Sequence, residues 1–85
     1  MTIDVDAYAD DHEVDLYVLE PRLVYDPCII DVVVLGSGEH VVVYDLNKSV
    51  GALMLEQGWA RDESKEWLLF NAEQVMFDYQ LQEKT

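Results

Sequence analysis

Two β-branched runs face each other across a glycine-rich loop, and no other feature narrows the fold of this chain as much. Cys28 to Leu35 (Cys-Ile-Ile-Asp-Val-Val-Val-Leu) and His40 to Leu46 (His-Val-Val-Val-Tyr-Asp-Leu) flank Gly36-Ser37-Gly38-Glu39. The two glycines can take positive φ, so the segment 28–46 is expected to be a β-hairpin. Ile and Val fill both faces of each run. Both strands are therefore expected to be central, covered by a helix on one side and by more sheet on the other.

The flanking segments extend this outline. Asn47-Lys48 reads as a turn, Ser49 as a cap, and Val50 to Gln57 as a helix with Val50, Leu53 and Met54 on one side, ended by Gly58 in a left-handed conformation. Ile3, Val5 and Ala7 alternate with acids, as in an edge strand or a frayed arm, and Val14, Leu16 and Val18 continue the period of two as a half-buried strand. Leu23-Val24-Tyr25 reads as a short extended piece stopped by Asp26-Pro27. Arg61 to Lys65 reads as a solvated connection. A helix from Asp62 onward would carry apolar residues on all sides, so Trp67 to Phe70 and Val75 to Leu81 are read as two strands, with Trp67 and Phe70 in the core. The expectation is one α+β domain over 1–85, β-rich with about five strands and one helix near 49–57, whose first thirteen residues, 1–13, form an acidic arm free to move.

Composition bounds the function. Eighty-five residues, 51% of them apolar, are enough for one small core and too few for two. Eighteen Asp and Glu against five Lys and Arg give a formal charge of -13, which excludes direct binding to nucleic acid or anionic lipid and makes any charged partner a basic one. Residues 1 to 20 hold Asp4, Asp6, Asp10, Asp11, Glu13, Asp15 and Glu20 with no Lys or Arg. No apolar run reaches the ~18 residues of a membrane span, and no basic n-region precedes an apolar stretch, so an intracellular location is expected. The single cysteine, Cys28, leaves no internal disulfide.

Few residues offer chemistry. Cys28 with His12 or His40 has the residue types of a nucleophile and base but no flanking signature, and a small buried residue is expected at the start of a β-branched strand. The N-terminal acids fail as a calcium loop. Asp4, Asp6 and Asp15 fall at the first, third and twelfth positions, but Tyr8 takes the fifth and Ala9 stands where the sharp turn needs glycine. Gly36-Ser37-Gly38 joins two strands and is followed by no Lys, so it is a turn and not a phosphate cradle. No catalytic residue, metal ligand or cofactor is expected. Tyr8 and Tyr17, by contrast, lie among carboxylates, where an aromatic ring and an acid together can receive a guanidinium.

One stretch is familiar. Val41 to Ala60, with a strand ending in Tyr44-Asp45, then Ser49-Val50, a helix, and Gly58-Trp59-Ala60, resembles the strand-helix segment of staphylococcal-nuclease-like domains, including the version in extended Tudor domains. The resemblance implies an OB-like barrel and, by way of the Tudor members, an adaptor for Arg-rich peptides. The nuclease constellation has no counterpart, since Arg22 and Arg61 stand in no matching motif. In size and charge the chain also resembles the small acidic inhibitors of restriction, repair and CRISPR systems carried by phages and mobile elements.

Four function classes follow from these features: an acidic decoy for a nucleic-acid-binding groove, a Tudor-type peptide adaptor, a small enzyme, and a surface adapted to high salt. Solubility alone asks for a net charge of only ~2 to 8 in magnitude, and salt adaptation would spread the acid evenly. The favoured expectation is a non-enzymatic inhibitor of DNA-mimic type. Its contacts to a basic protein surface would be Asp4, Asp6, Asp10, Asp11, Glu13, Asp15 and Glu39, with Tyr8 and Tyr17 as stacking groups. An exposed edge strand would also make a homodimer reasonable.

Overall fold

The structure is a computed structural model, described here for residues 3–71 and 73–78. Four α-helices and a three-stranded sheet follow one another as α1 (Val5–His12), α2 (Arg22–Tyr25), a 3-10 turn (Asp26–Cys28), β1 (Ile29–Val34), β2 (His40–Tyr44), α3 (Leu46–Gln57), α4 (Arg61–Asn71) and β3 (Met76–Phe77). The α+β class holds. The five-stranded, β-rich architecture does not, and the described sheet has three strands where an OB-like barrel was implied.

The hairpin forms as expected. β1 and β2 pair antiparallel, with Val32 opposite Val42 and Val34 opposite His40, and a bulge lies between Ile29 and Asp31. Gly38 takes φ 89° in the connecting loop, where the Leu35 amide donates to the Glu39 carbonyl at 2.8 Å. β3 lies parallel to β2, with Val43 opposite Met76, so the chain must cross over between them, and α3 and α4 make the crossover. Only β2 is central. Val41 to Tyr44 are buried on both faces, whereas Ile30 and Val34 on the edge strand β1 are exposed.

The main core lies on one face of the sheet. Val42, Tyr44 and Phe77 meet Val50 and Leu53 of α3, Leu68 of α4, Tyr25 of α2 and Val5 of α1. A smaller cluster of Val41, Val43 and Met76, with Val33 and Leu35 against it, occupies the other face. Val75 and Phe77 thus separate from Met76 as the alternation required. Tyr79 and Leu81, expected in the same strand, lie outside the described residues. Among the described residues no helix is long and apolar enough to cross a membrane.

Four expectations are corrected by helices. The N-terminal segment is α1 and not a strand or loose arm, because the Asp4 carboxylate caps it by accepting from the amides of Asp6 and Ala7, both at 3.1 Å. Residues 14–18 do keep half-buried and exposed positions alternating, with Leu16 and Val18 on the core, yet they join no ladder. Leu23 to Tyr25 is helical. Trp67 to Phe70 belongs to α4, which buries the i, i+4 pair Ser64 and Leu68 and leaves Trp67 and Phe70 outside the core. The central helix also begins earlier than expected. Asp45, whose carboxylate accepts from the Lys48 amide at 3.0 Å, caps it, and Ser49 is buried one turn inside.

Candidate functional site

The acids of the first fifteen residues are arranged by a short helix with three restraints. At its start, Asp4 is occupied as the cap. In its first turn, Asp6 takes both terminal nitrogens of Arg22, Nη1 to Oδ1 and Nη2 to Oδ2 at 3.0 Å each, while Arg22 Nε donates to Asp26 Oδ2 at 3.1 Å. These two carboxylates, Asp6 first, hold the guanidinium more firmly protonated than usual. In its middle, the Tyr8 hydroxyl meets His40 Nδ1 at 2.8 Å. The His12 ring stacks on Tyr8 at 3.9 Å while its Nδ1 donates to the Tyr8 carbonyl at 2.9 Å. Tyr8, His12 and His40 therefore tie the helix to the first residue of β2.

Beyond these restraints the carboxylates are free. Asp10 and Asp11 occupy the last turn of α1, Glu13 closes it in a left-handed conformation (φ 54°), and Asp15 follows. All four are exposed, and among the described residues the ion pairs involve only Arg22 with Asp6 and Asp26. Ala9, Asp10, Glu13, Val14 and Asp15 line a shallow hollow at this end. The free carbonyls of a helix C-terminus carry about half a negative charge, so the acids add to a potential already negative. Placing them there works against the helix.

The expected contact residues thus divide. Asp10, Asp11, Glu13 and Asp15 form one exposed group, and Glu39 is exposed in the hairpin loop. Asp4 and Asp6 are engaged within the fold. Tyr8 is half-buried and hydrogen-bonded, so its ring is not free to stack on a partner. Tyr17 is 55% exposed, but it lines a separate hollow with Val18, Leu19 and Val75. The Arg22 clamp was not anticipated, and nothing local announces it, since Asp6 and Arg22 stand sixteen residues apart.

The nucleophile reading finds no geometry. The Cys28 thiol is buried and points at the Val24 carbonyl at 3.9 Å, burial pushes its pKa up, and both imidazoles are engaged with Tyr8. Among the described residues no three His, Cys, Asp or Glu side chains converge as metal ligands would. A third concave surface is not among the sequence expectations. Trp59, Glu63, Glu66, Trp67, Phe70 and Asn71 line an open hollow on α4 and the loop before it. Read at helical spacing, 59, 63, 66, 67 and 70 fall on one stripe, a signal present in the sequence once α4 is recognised as a helix.

Comparison with known proteins brings nothing to this surface: no family model, curated protein or solved structure matches the chain. Function has to be argued from what the surface offers.

Proposed function

We propose that this chain is a non-enzymatic acidic interaction protein that occupies a basic, nucleic-acid-binding surface of a partner protein, as a DNA mimic does. The observation that carries the reading is the group Asp10, Asp11, Glu13 and Asp15, exposed and unpaired at the negative end of α1 while the same helix is locked to the sheet by Tyr8 and His40. At a rise of ~1.5 Å per residue, Asp10, Asp11 and Glu13 fall within roughly 5 Å along the axis of α1, and Asp15 follows directly. Four free carboxylates are thus concentrated at one end of the helix. Fixed anions so gathered suit a groove whose Lys and Arg side chains are set to receive phosphates.

Their cost supports the same reading. Acids in the last turn of a helix oppose its dipole, and a charge of -13 on 85 residues repels itself, so the arrangement sacrifices stability for potential. A competition assay tests the proposal. A labelled DNA duplex is bound to each of a set of folded basic DNA-binding domains, and the protein is added at low and at physiological salt. Displacement of the duplex from at least one domain, weakened at least tenfold by D10N/D11N/E13Q/D15N, is the expected outcome. A duplex that stays bound to all of them at saturating protein and low salt refutes it.

A further inference from the structure

The hollow on α4 is built differently from the acidic end of α1. Trp59 and Trp67 meet edge to face, with ring centroids 6.2 Å apart and planes at 61°, which sets two indole surfaces at an angle to one another. Phe70 continues the wall one turn on and is 80% exposed, and Trp67 is 42% exposed. Below each aromatic sits a carboxylate at i, i+4: Glu63 precedes Trp67 and Glu66 precedes Phe70. No Lys or Arg lines the hollow. The two cations of the same helix stand outside the lining: Lys65 is exposed, and Arg61 is engaged with Asn47 Oδ1 at 2.6 Å. Its volume of about 430 Å³ falls within the ~300 to 1,000 Å³ of ordinary ligand sites.

Leaving Trp67 and Phe70 at the surface beside a half-buried Trp59 is costly, and the rim decides what covers them. A second copy of this chain would bring another acidic rim against Glu63 and Glu66. An apolar segment would bury two carboxylates without partners. A cation satisfies both parts at once, because its charge is attracted to the face of an aromatic ring and to a carboxylate together. A planar guanidinium does so better than an ammonium, stacking on the ring while its N–H groups fork onto the acid.

From this geometry we infer that the Trp59, Trp67 and Phe70 hollow is a receptor for an arginine side chain of a basic protein segment, held by stacking between the rings and by pairing with Glu63 and Glu66. The inference rests on the reading of this protein as one that engages cationic partners, and it adds a second contact, separate from α1 and specific for the guanidinium.

The test uses the full chain and a capped Gly-Arg-Gly-Arg-Gly peptide, with the same peptide carrying citrulline in place of arginine as an uncharged match. The two indole N–H signals are followed by NMR at low salt. Expected are saturable shifts of both with the arginine peptide, at least tenfold weaker binding to the citrulline peptide, and a similar loss in E63Q/E66Q and in F70A. Phe70 is exposed enough that its removal leaves the core untouched. Indoles that stay still, or that respond equally to both peptides, overturn the inference. So do signals that shift with protein concentration alone as a dimer appears by sedimentation, which would make the occupant a second copy. Arginine binding that moves only α1 amides, and is lost in D10N/D11N but not in E63Q/E66Q, overturns the hollow while leaving the acidic-face proposal standing. Indole shifts alongside a duplex that no basic domain releases uphold the hollow and refute that proposal.

Discussion

Neutralising acids along the single helix α1 should change stability in opposite directions at its two ends. At the start, Asp4 Oδ1 accepts two backbone N–H bonds, so Asp4→Ala removes a cap and should cost about 0.5–2 kcal/mol. Near the end, Asp10 and Asp11 stand in the last turn, at the negative pole of the helix, and form no ion pair. Each charge there opposes the helix dipole by about 0.3–1 kcal/mol, so D10N/D11N should stabilise by roughly 0.5–2 kcal/mol at low salt. Asn and Asp have similar helix propensities, which leaves charge as the main variable. Urea unfolding followed by the fluorescence of Trp59 and Trp67 reads both. With a slope of ~1–1.5 kcal/mol/M, 1 kcal/mol moves the midpoint by about 0.7–1 M. The gain should shrink in high salt, since exposed charges are screened over ~8 Å at physiological ionic strength. The D10N/D11N variant should at the same time compete less well for basic domains. If D10N/D11N is no more stable than the parent, or if it competes equally well, the argument that these acids are held against the helix for the sake of a partner fails.

Two further measurements probe the scaffold that holds the site. Burial pushes the Tyr44 hydroxyl up to about 12, against the Leu19 amide that donates to it and acts in the opposite direction. Above pH 10 the unfolded tyrosine loses its proton before the folded one does, so this contribution is fully present below pH 10 and is lost between pH 10 and 12. Its loss amounts to about 2–3 kcal/mol in all, and a Tyr44→Phe variant should show a correspondingly flatter decline in its urea midpoint over that range. The glycines of α3 should respond with opposite signs to alanine. Gly58→Ala should cost about 1 kcal/mol from φ 72° alone, since no atom lies within 4 Å of the added Cβ, whereas Gly51→Ala, in the helix interior and equally uncrowded, should add about 0.5–1 kcal/mol.

The parts of the fold legible in the sequence were those set by local chemistry. The hairpin, with Gly38 in its loop, and the Gly58 helix end need only residues near one another, and both formed as the residue types require. Alternation proved less informative than it looked. In 14–19 it marked Leu16 and Val18 correctly as facing the core but not Leu19, which packs there as well; period two also says nothing of hydrogen-bonding partners, and the Leu19 amide bonds the Tyr44 hydroxyl instead of a neighbouring strand. In 3–7 the same alternation was misleading, because Val5, Tyr8, Ala9 and His12 also fit one helical face and the Asp4 cap decides between the two. A cap is a single residue, and alternation over so few positions outweighs it by eye.

The error at α4 has the same origin and bears most on function. Apolar residues on every side of 62–70 argue against a helix only if every apolar side chain must be buried. α4 buries one stripe, Ser64 and Leu68, and presents a second, Trp67 and Phe70, to solvent. Treating large aromatics as core by default turned the exposed surface of 67–70 into a strand and hid the hollow they line. The acidic residues suffered the reverse fate. Composition showed how much charge the first quarter carries but not how much is free, because the Arg22 clamp on Asp6 and the capping role of Asp4 arise only when the chain folds. What folding leaves available is a shorter acidic face at the far end of α1 and an aromatic hollow with its own carboxylates on α4. The two make different demands on a partner. An acidic face answers to any dense positive charge and weakens with salt, while stacked rings with paired acids distinguish a guanidinium from an ammonium and depend less on ionic strength. A partner bound at both would be recruited by the first and selected by the second.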